Sequence, residues 1–178
     1  MNTKTLKKIV GIASIVLGIL VLVMASFAAV TSGSGDNKTS YSGFNLIFGK
    51  TLSEGSLGSL ASGSTKILFC FGLLLGYFLP VVAAVLICLV VFGKSKGLSF
   101  VFGCVAFGCF VASIILIACT KNMATYEVTA STIITGSGTT TGHFTDWNLG
   151  AGSILALICA GLGACTSGTY TVLQFLKK

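Results

Sequence analysis

Long uncharged apolar runs alternate along this chain with polar stretches rich in glycine, serine and threonine. No charged residue falls between Lys8 and Asp36, between Lys66 and Lys94, between Lys96 and Lys121, or between Asp146 and Lys177. The apolar parts of these stretches predict four spans, at residues 9–30, 67–92, 98–119 and 150–175. A helix rises about 1.5 Å per residue, so ~20 apolar residues match a hydrocarbon layer about 30 Å thick. Each run is long enough to cross one. Strict apolar/polar alternation, which a membrane β-barrel requires, is absent from all four, so helices are the spanning form they predict.

The segments left over are the tails, a short connection at 93–97, and two longer loops at 31–66 and 120–149. None reaches the size of an independent domain. The fold class expected is therefore an all-α membrane protein, a single domain over 1–178 in which a four-transmembrane-helix bundle carries a small extracellular β-element. The first loop holds 20 Gly, Ser or Thr in 36 positions, a composition of flexible segments. Within it Tyr41–Phe48 has strand-like aromatic and branched content. In the second loop Tyr126, Val128, Ala130 and Ile134 alternate with polar neighbours, Gly136–Gly138 supplies a turn, and Thr139–Trp147 returns as a second strand. Trp147 is placed to anchor the outer end of the fourth span at headgroup level. The first run also has a second reading. Lys4, Lys7 and Lys8, the apolar stretch and Ser26-Phe27-Ala28 resemble a signal peptide, whose cleavage would leave three spans.

Composition and charge narrow the class. Only 8% of residues are charged and mean hydropathy is +0.99, against about 25% charged in soluble domains. The net charge of +7 is unevenly placed. Lys4, Lys7, Lys8, Lys94, Lys96, Lys177 and Lys178 fall in the tails and the short connection, which share one side of a four-span chain and carry no acid. On the other side Lys38, Lys50, Lys66 and Lys121 balance Asp36, Glu54, Glu127 and Asp146. The positive-inside rule places the protein in the cell membrane with both termini cytoplasmic and the long loops outside. Short lysine clusters beside a bilayer attract anionic headgroups and do not make a nucleic-acid surface. All eleven basic residues are lysine, so no guanidinium fork is present for phosphate or carboxylate.

Small residues mark the helix contacts. The fourth span carries Gly152, Ala156, Ala160, Ala164 and Gly168 at every fourth position, and the second carries Gly72 and Gly76. Small-xxx-small spacing lets helices approach closely where lipid supplies no hydrophobic drive, either within one bundle or in a homo-oligomer. Cys104, Gly108 and Ala112 repeat the spacing in the third span. Pro80, the only proline, removes a backbone donor and is expected to kink the second span near Gly76.

Chemistry is sparse. All seven cysteines lie within the spans, with Cys70/Cys119 and Cys88/Cys104 at matching depths in the hairpin of spans two and three. No zinc-ligand spacing or external disulfide framework is legible, and no cofactor is implied. His143 and Asp146 are the only close pair with metal or acid–base capability. The spans contain no Asp, Glu, Lys, Arg or His, so Ser14, Ser113 and Ser153 have no base to activate them. This argues against an enzyme.

Two inner tails, a short inner connection and a β-prone first outer loop resemble the claudin-type four-span proteins in layout. Residues 31–66 contain neither Trp nor Cys, so the resemblance transfers no residue role. The lysine-only, glycine-rich character, with Phe44-Asn-Leu-Ile-Phe-Gly-Lys50, also resembles small four-span membrane proteins of low-GC Gram-positive bacteria and mollicutes, a family that implies no activity. The function expected is non-enzymatic: protein interaction or assembly through the outer loops and small-residue helix faces, with the lipid bilayer and a second copy or another membrane protein as partners. The alternative is a channel or transporter subunit with a Ser/Thr/Gly-lined pathway.

Overall fold

A computed structural model describes residues 3–33, 38–56, 61–92, 98–132 and 136–175. Four long helices form the body: α1 (Thr3–Met24), α3 (Phe71–Phe92), α4 (Leu98–Ala118) and α6 (Ala151–Phe175). All four are long and apolar enough to cross a membrane. Each packs against two neighbours in the ring order α1, α3, α4, α6, so sequential helices sit side by side. Between them run β1 (Ala28–Ser32), β2 (Thr39–Ser42), α2 (Gly43–Phe48), β3 (Lys50–Ser56) and β4 (Ala61–Ile67), then α5 (Thr120–Met123), β5 (Thr125–Thr132), β6 (Gly136–His143) and β7 (Asn148–Leu149).

The buried positions of every long helix recur at alternating steps of three and four. They are Gly11, Ser14, Gly18, Val21 and Ala25 along α1 and its end, and Ser99, Gly103, Ala106, Phe110, Ser113 and Ile117 on α4. On α6 they include Ser153, Ala156, Ala160, Gly163, Ser167 and Tyr170. This 3.5-residue repeat is the signature of left-handed, coiled-coil-like packing. Large apolar side chains point the other way: Ile9, Ile12, Val16, Ile19 and Val23 of α1 and Val82, Val85 and Leu89 of α3 are exposed. The bundle thus gathers its small residues and hydroxyls inside, among a few bulky side chains such as Leu73, Tyr77, Ile87 and Phe110, and turns most of its bulky hydrocarbon outward, unlike a water-soluble bundle.

Glycines set the distance at each seam of the ring. A Cβ on Gly18 would run into the Pro80 carbonyl of α3, one on Gly76 would press on Leu116 and Ile117 of α4, and one on Gly163 would strike the Phe110 ring. Gly152 lies against the backbone of residues 24–28.

Two predicted spans are corrected. The apolar run 9–30 divides: α1 ends at Met24, the turn tightens through Ala25 N→Leu22 O and Ser26 N→Val23 O bonds of 3.1 and 3.0 Å, and Ala28–Ser32 becomes a strand. Ala29 and Val30 are buried in that strand, which is why they read as membrane-type residues. The run 67–92 likewise yields its first residues to β4 and a connection, and the helix starts at Phe71. Helix α3 then continues through Pro80 to Phe92. Of the strand-like Tyr41–Phe48, only the first two residues are extended, because Ser42 caps a helix over 43–48 by accepting a bond from Asn45 N at 3.3 Å.

The seam geometry yields a paired expectation. Gly18→Ala forces a Cβ against the backbone carbonyl of Pro80 and should destabilise the bundle by about 1–3 kcal/mol. Gly161→Ala, whose Cβ meets open space, should be neutral or slightly stabilising. Unfolding in mixed detergent micelles measures both.

Candidate interaction surface

Each of the two sheets takes strands from both segments that link the helices. The three-stranded sheet runs β2-β1-β7 and the four-stranded sheet β3-β4-β5-β6, all antiparallel. The β5–β6 hairpin predicted from the second loop is present, but Gly136–Gly138, expected as its turn, belongs to β6. Further along β6, Tyr126 lies over Gly142 on the paired strand and covers its missing side chain, whereas open space surrounds Gly138.

An aromatic cluster joins the sheets. Tyr41 of β2 stacks on Trp147 with ring centroids 5.2 Å apart, and Phe144 meets Trp147 and Tyr126 edge-on, each at 5.1 Å. Phe144 is buried at the centre. Trp147 therefore does more than mark the end of α6: it is packed into this cluster. Burial pushes the Tyr41 phenol up from its ordinary value, so the ring stays uncharged at any physiological pH.

On the four-stranded sheet one face alternates Ser64 and Lys66 with Glu127 and Thr129, and then with Thr139 and Thr141 on β6. Lys66 sits directly opposite Glu127, a favourable cross-strand pair. Residues 137–141 are exposed throughout. His143 and Asp146 are both exposed, and no group of three or more metal-binding side chains gathers among the described residues.

Inside the bundle every hydroxyl has a partner. Ser14 donates to Thr166 at 2.7 Å, linking α1 to α6. Ser153 donates to the Ala29 carbonyl at 3.0 Å, so its single proton is spent and Tyr77 is the donor in the 3.3 Å contact between their hydroxyls. Ser113 of α4 donates to the Gly76 carbonyl of α3 at 2.6 Å. Pro80 has no N–H to give that carbonyl, so a neighbouring helix supplies the missing donor. At the other end Lys7 bonds Gln174 at 3.4 Å and Gln174 bonds Tyr170 at 2.9 Å. Among the described residues no buried side-chain polar atom lacks a partner. The seven cysteines are all free thiols, and Cys70 donates to the Met123 carbonyl.

The expected contact residues fall as follows. Gly72 lies beside Met123 of α5, Gly76 against α4, Pro80 against α1 at Gly18, and Gly152 against the end of α1. Ala156, Ala160 and Ala164 are buried, and half-buried Gly168 touches the Phe107 ring of α4. Steps of four advance about 40° each around a helix, so five members wind through about 160°. The series accordingly begins facing α1 and ends facing α4, and does not form one groove. Cys104 and Gly108 face outward, with open space beside Gly108. The contacts of Ser113, Thr166, Gly18 and Gly163 fall outside the small-xxx-small series, although the seven-residue spacing of Gly11 and Gly18 marks one helix face.

No protein-family model matches the chain, and no curated protein or solved structure does so either.

The Ser113 bond is open to a double-mutant test. Ser113→Ala leaves the Gly76 carbonyl buried and unpaired, and should cost about 1–2 kcal/mol. In a Pro80→Ala background the helix regains its own N–H for that carbonyl, and the same substitution should cost less than half as much. Stability of the four variants in detergent gives the coupling.

Proposed function

We propose that the protein is a non-enzymatic multi-pass membrane protein, with both termini cytoplasmic, that acts in interaction or assembly through its outer sheets. The observation that carries this reading is the four-stranded sheet: polar, exposed along residues 137–141, and built from both outer loops so that it forms one fixed surface. The outward-facing bulky apolar side chains of the helices suit lipid, and the lysines at 94, 96, 177 and 178 with those at 4, 7 and 8 favour the cytoplasmic side for both tails.

The bundle interior supports a scaffold over a conduit. Between Ser153 and Thr166 the buried face of α6 is Ala156, Ala160, Gly163 and Ala164, about 20 Å of helix without a hydroxyl. Phe110, fully buried, fills the space over Gly163. The hydroxyls present are paired with carbonyls or with each other at separate seams. A pathway for ions needs a continuous polar lining.

Purified protein in liposomes should accordingly pass neither ions nor protons. Reproducible currents altered by a bulky residue at Gly76 would replace this reading with a channel. For orientation, a reporter active only in the cytoplasm should work after Lys178 and fail when inserted within residues 57–60; the opposite pattern overturns the side assignment.

A further inference from the structure

The two edges of the four-stranded sheet are built differently. On one side β3 carries a bulge between Thr51 and Ser53, and its sequence includes Lys50 and Glu54. Bulges and charges are the usual devices that keep an edge strand from pairing with another chain. On the other side β6 has neither. Its register with β5 runs unbroken from Thr125↔His143 to Thr132↔Gly136, its sequence GSGTTTGH holds no Lys, Arg, Asp or Glu, and no strand among the described residues pairs with its outer side. Ser137, Gly138, Thr139, Thr140 and Thr141 are exposed, and nothing lies within 4 Å of a Cβ built on Gly138. A row of free N–H and C=O groups on such an edge is complementary to another extended backbone and to little else.

The sequence of the edge selects the partner. Gly138-Thr139-Thr140-Thr141-Gly142 reads the same in both directions. Two identical strands pairing antiparallel about a two-fold axis must be self-complementary, because each residue meets the copy of another from the same patch. Centred on Thr140, such pairing sets Thr139 opposite the second copy's Thr141 and Gly138 opposite its Gly142, and brings no like charges together. Threonine pairs directly across strands are favourable. A palindrome confers no advantage toward an unlike strand. We infer that β6 is a homophilic edge: it pairs antiparallel with β6 of a second copy about an axis through Thr140, and joins two four-stranded sheets into one continuous sheet. The inference rests on the reading of the outer sheets as an interaction surface and names the partner of that surface.

Cysteine cross-linking of the full chain in membranes tests it. Opposed residues in an antiparallel pair have Cα atoms about 4.5–5.5 Å apart, within disulfide range. Thr140→Cys should give a reducible dimer under mild oxidation, at least tenfold above the unsubstituted chain, whose own cysteines all lie in or beside the long helices. Ser137→Cys should not cross-link to itself, but should do so when co-expressed with His143→Cys, which the register places opposite. Thr139→Lys with Thr141→Lys should abolish the dimer, as should the corresponding pair of Glu substitutions, and mixing the Lys and Glu chains should restore a mixed dimer. Equal cross-linking at 137 and 140, or no dimer from Thr140→Cys while the protein elutes as the native species, would overturn self-pairing. Unabated dimerisation of the Lys chain alone would also overturn it. Those outcomes leave the interaction reading standing, since that reading fails on a different result, flux through the bundle.

Discussion

A few residues of backbone, 25–30, are approached by several elements, and the sheet-bearing end of the molecule is positioned by what meets there. The Ala29 carbonyl accepts bonds from Gly150 N at 2.7 Å and from the Ser153 hydroxyl at 3.0 Å, and Tyr77 reaches the same serine from α3. From the opposite direction Gly43 N and Phe44 N bond the Phe27 and Ala25 carbonyls, which sets α2 in place. Such crowding requires that the incoming residues lack side chains. A Cβ on Gly150 or Gly152 would enter the backbone of Ala28, and one on Gly43 would press on Ala25. Because β1 is also the central strand of its sheet, the same stretch fixes β2 and β7. The end of α1, the start of α6 and one whole sheet therefore share one anchorage of hydrogen bonds in a buried setting, where an unmet carbonyl costs more than it would in water.

What the sequence made legible follows from which forces leave a trace in hydropathy. Four long helices were readable because length and lack of charge suffice. The β5–β6 hairpin was readable because Tyr126, Val128 and Ala130 alternate with polar residues. The end of α1 was not, since Ala28–Val30 are as apolar in a buried strand as in a span, and the break is set by tertiary hydrogen bonds. Nor was α2, where a serine cap overrode strand-prone Phe44 and Ile47. The seams were the hardest to see. Every face of these helices is apolar, so the buried one is distinguished only by its enrichment in small and hydroxyl residues on a seven-residue repeat. A step of four picks out part of that face and then drifts away from it.

The distribution of polar groups divides the molecule into two regions. Within the bundle three hydroxyls are committed to seams, Ser14 to α6, Ser113 to the carbonyl that Pro80 leaves open and Ser153 to β1, while Ser167 and Thr171 bond carbonyls of their own helix. The seam bonds tie each helix to a particular neighbour and select one arrangement of helices. On the sheets the hydroxyls of residues 137–141 are uncommitted and exposed. With no Lys, Arg, Asp or Glu in β6, that edge carries little long-range electrostatic field.

The interleaving of strands from distant parts of the chain governs how the molecule comes to exist. Strand β1 waits for β7, whose Leu149 pairs with Val30, and β4 waits for β5, whose Thr132 pairs with Ala61. As the chain emerges from the ribosome, β1 and β4 must therefore stand with an unsatisfied side while α3 and α4 are still being inserted. Such long-range pairing is slow to form and exposed while incomplete. The sheets are thus the last part to mature, and a chain arrested before β5 would present β1 and β4 each with an open side.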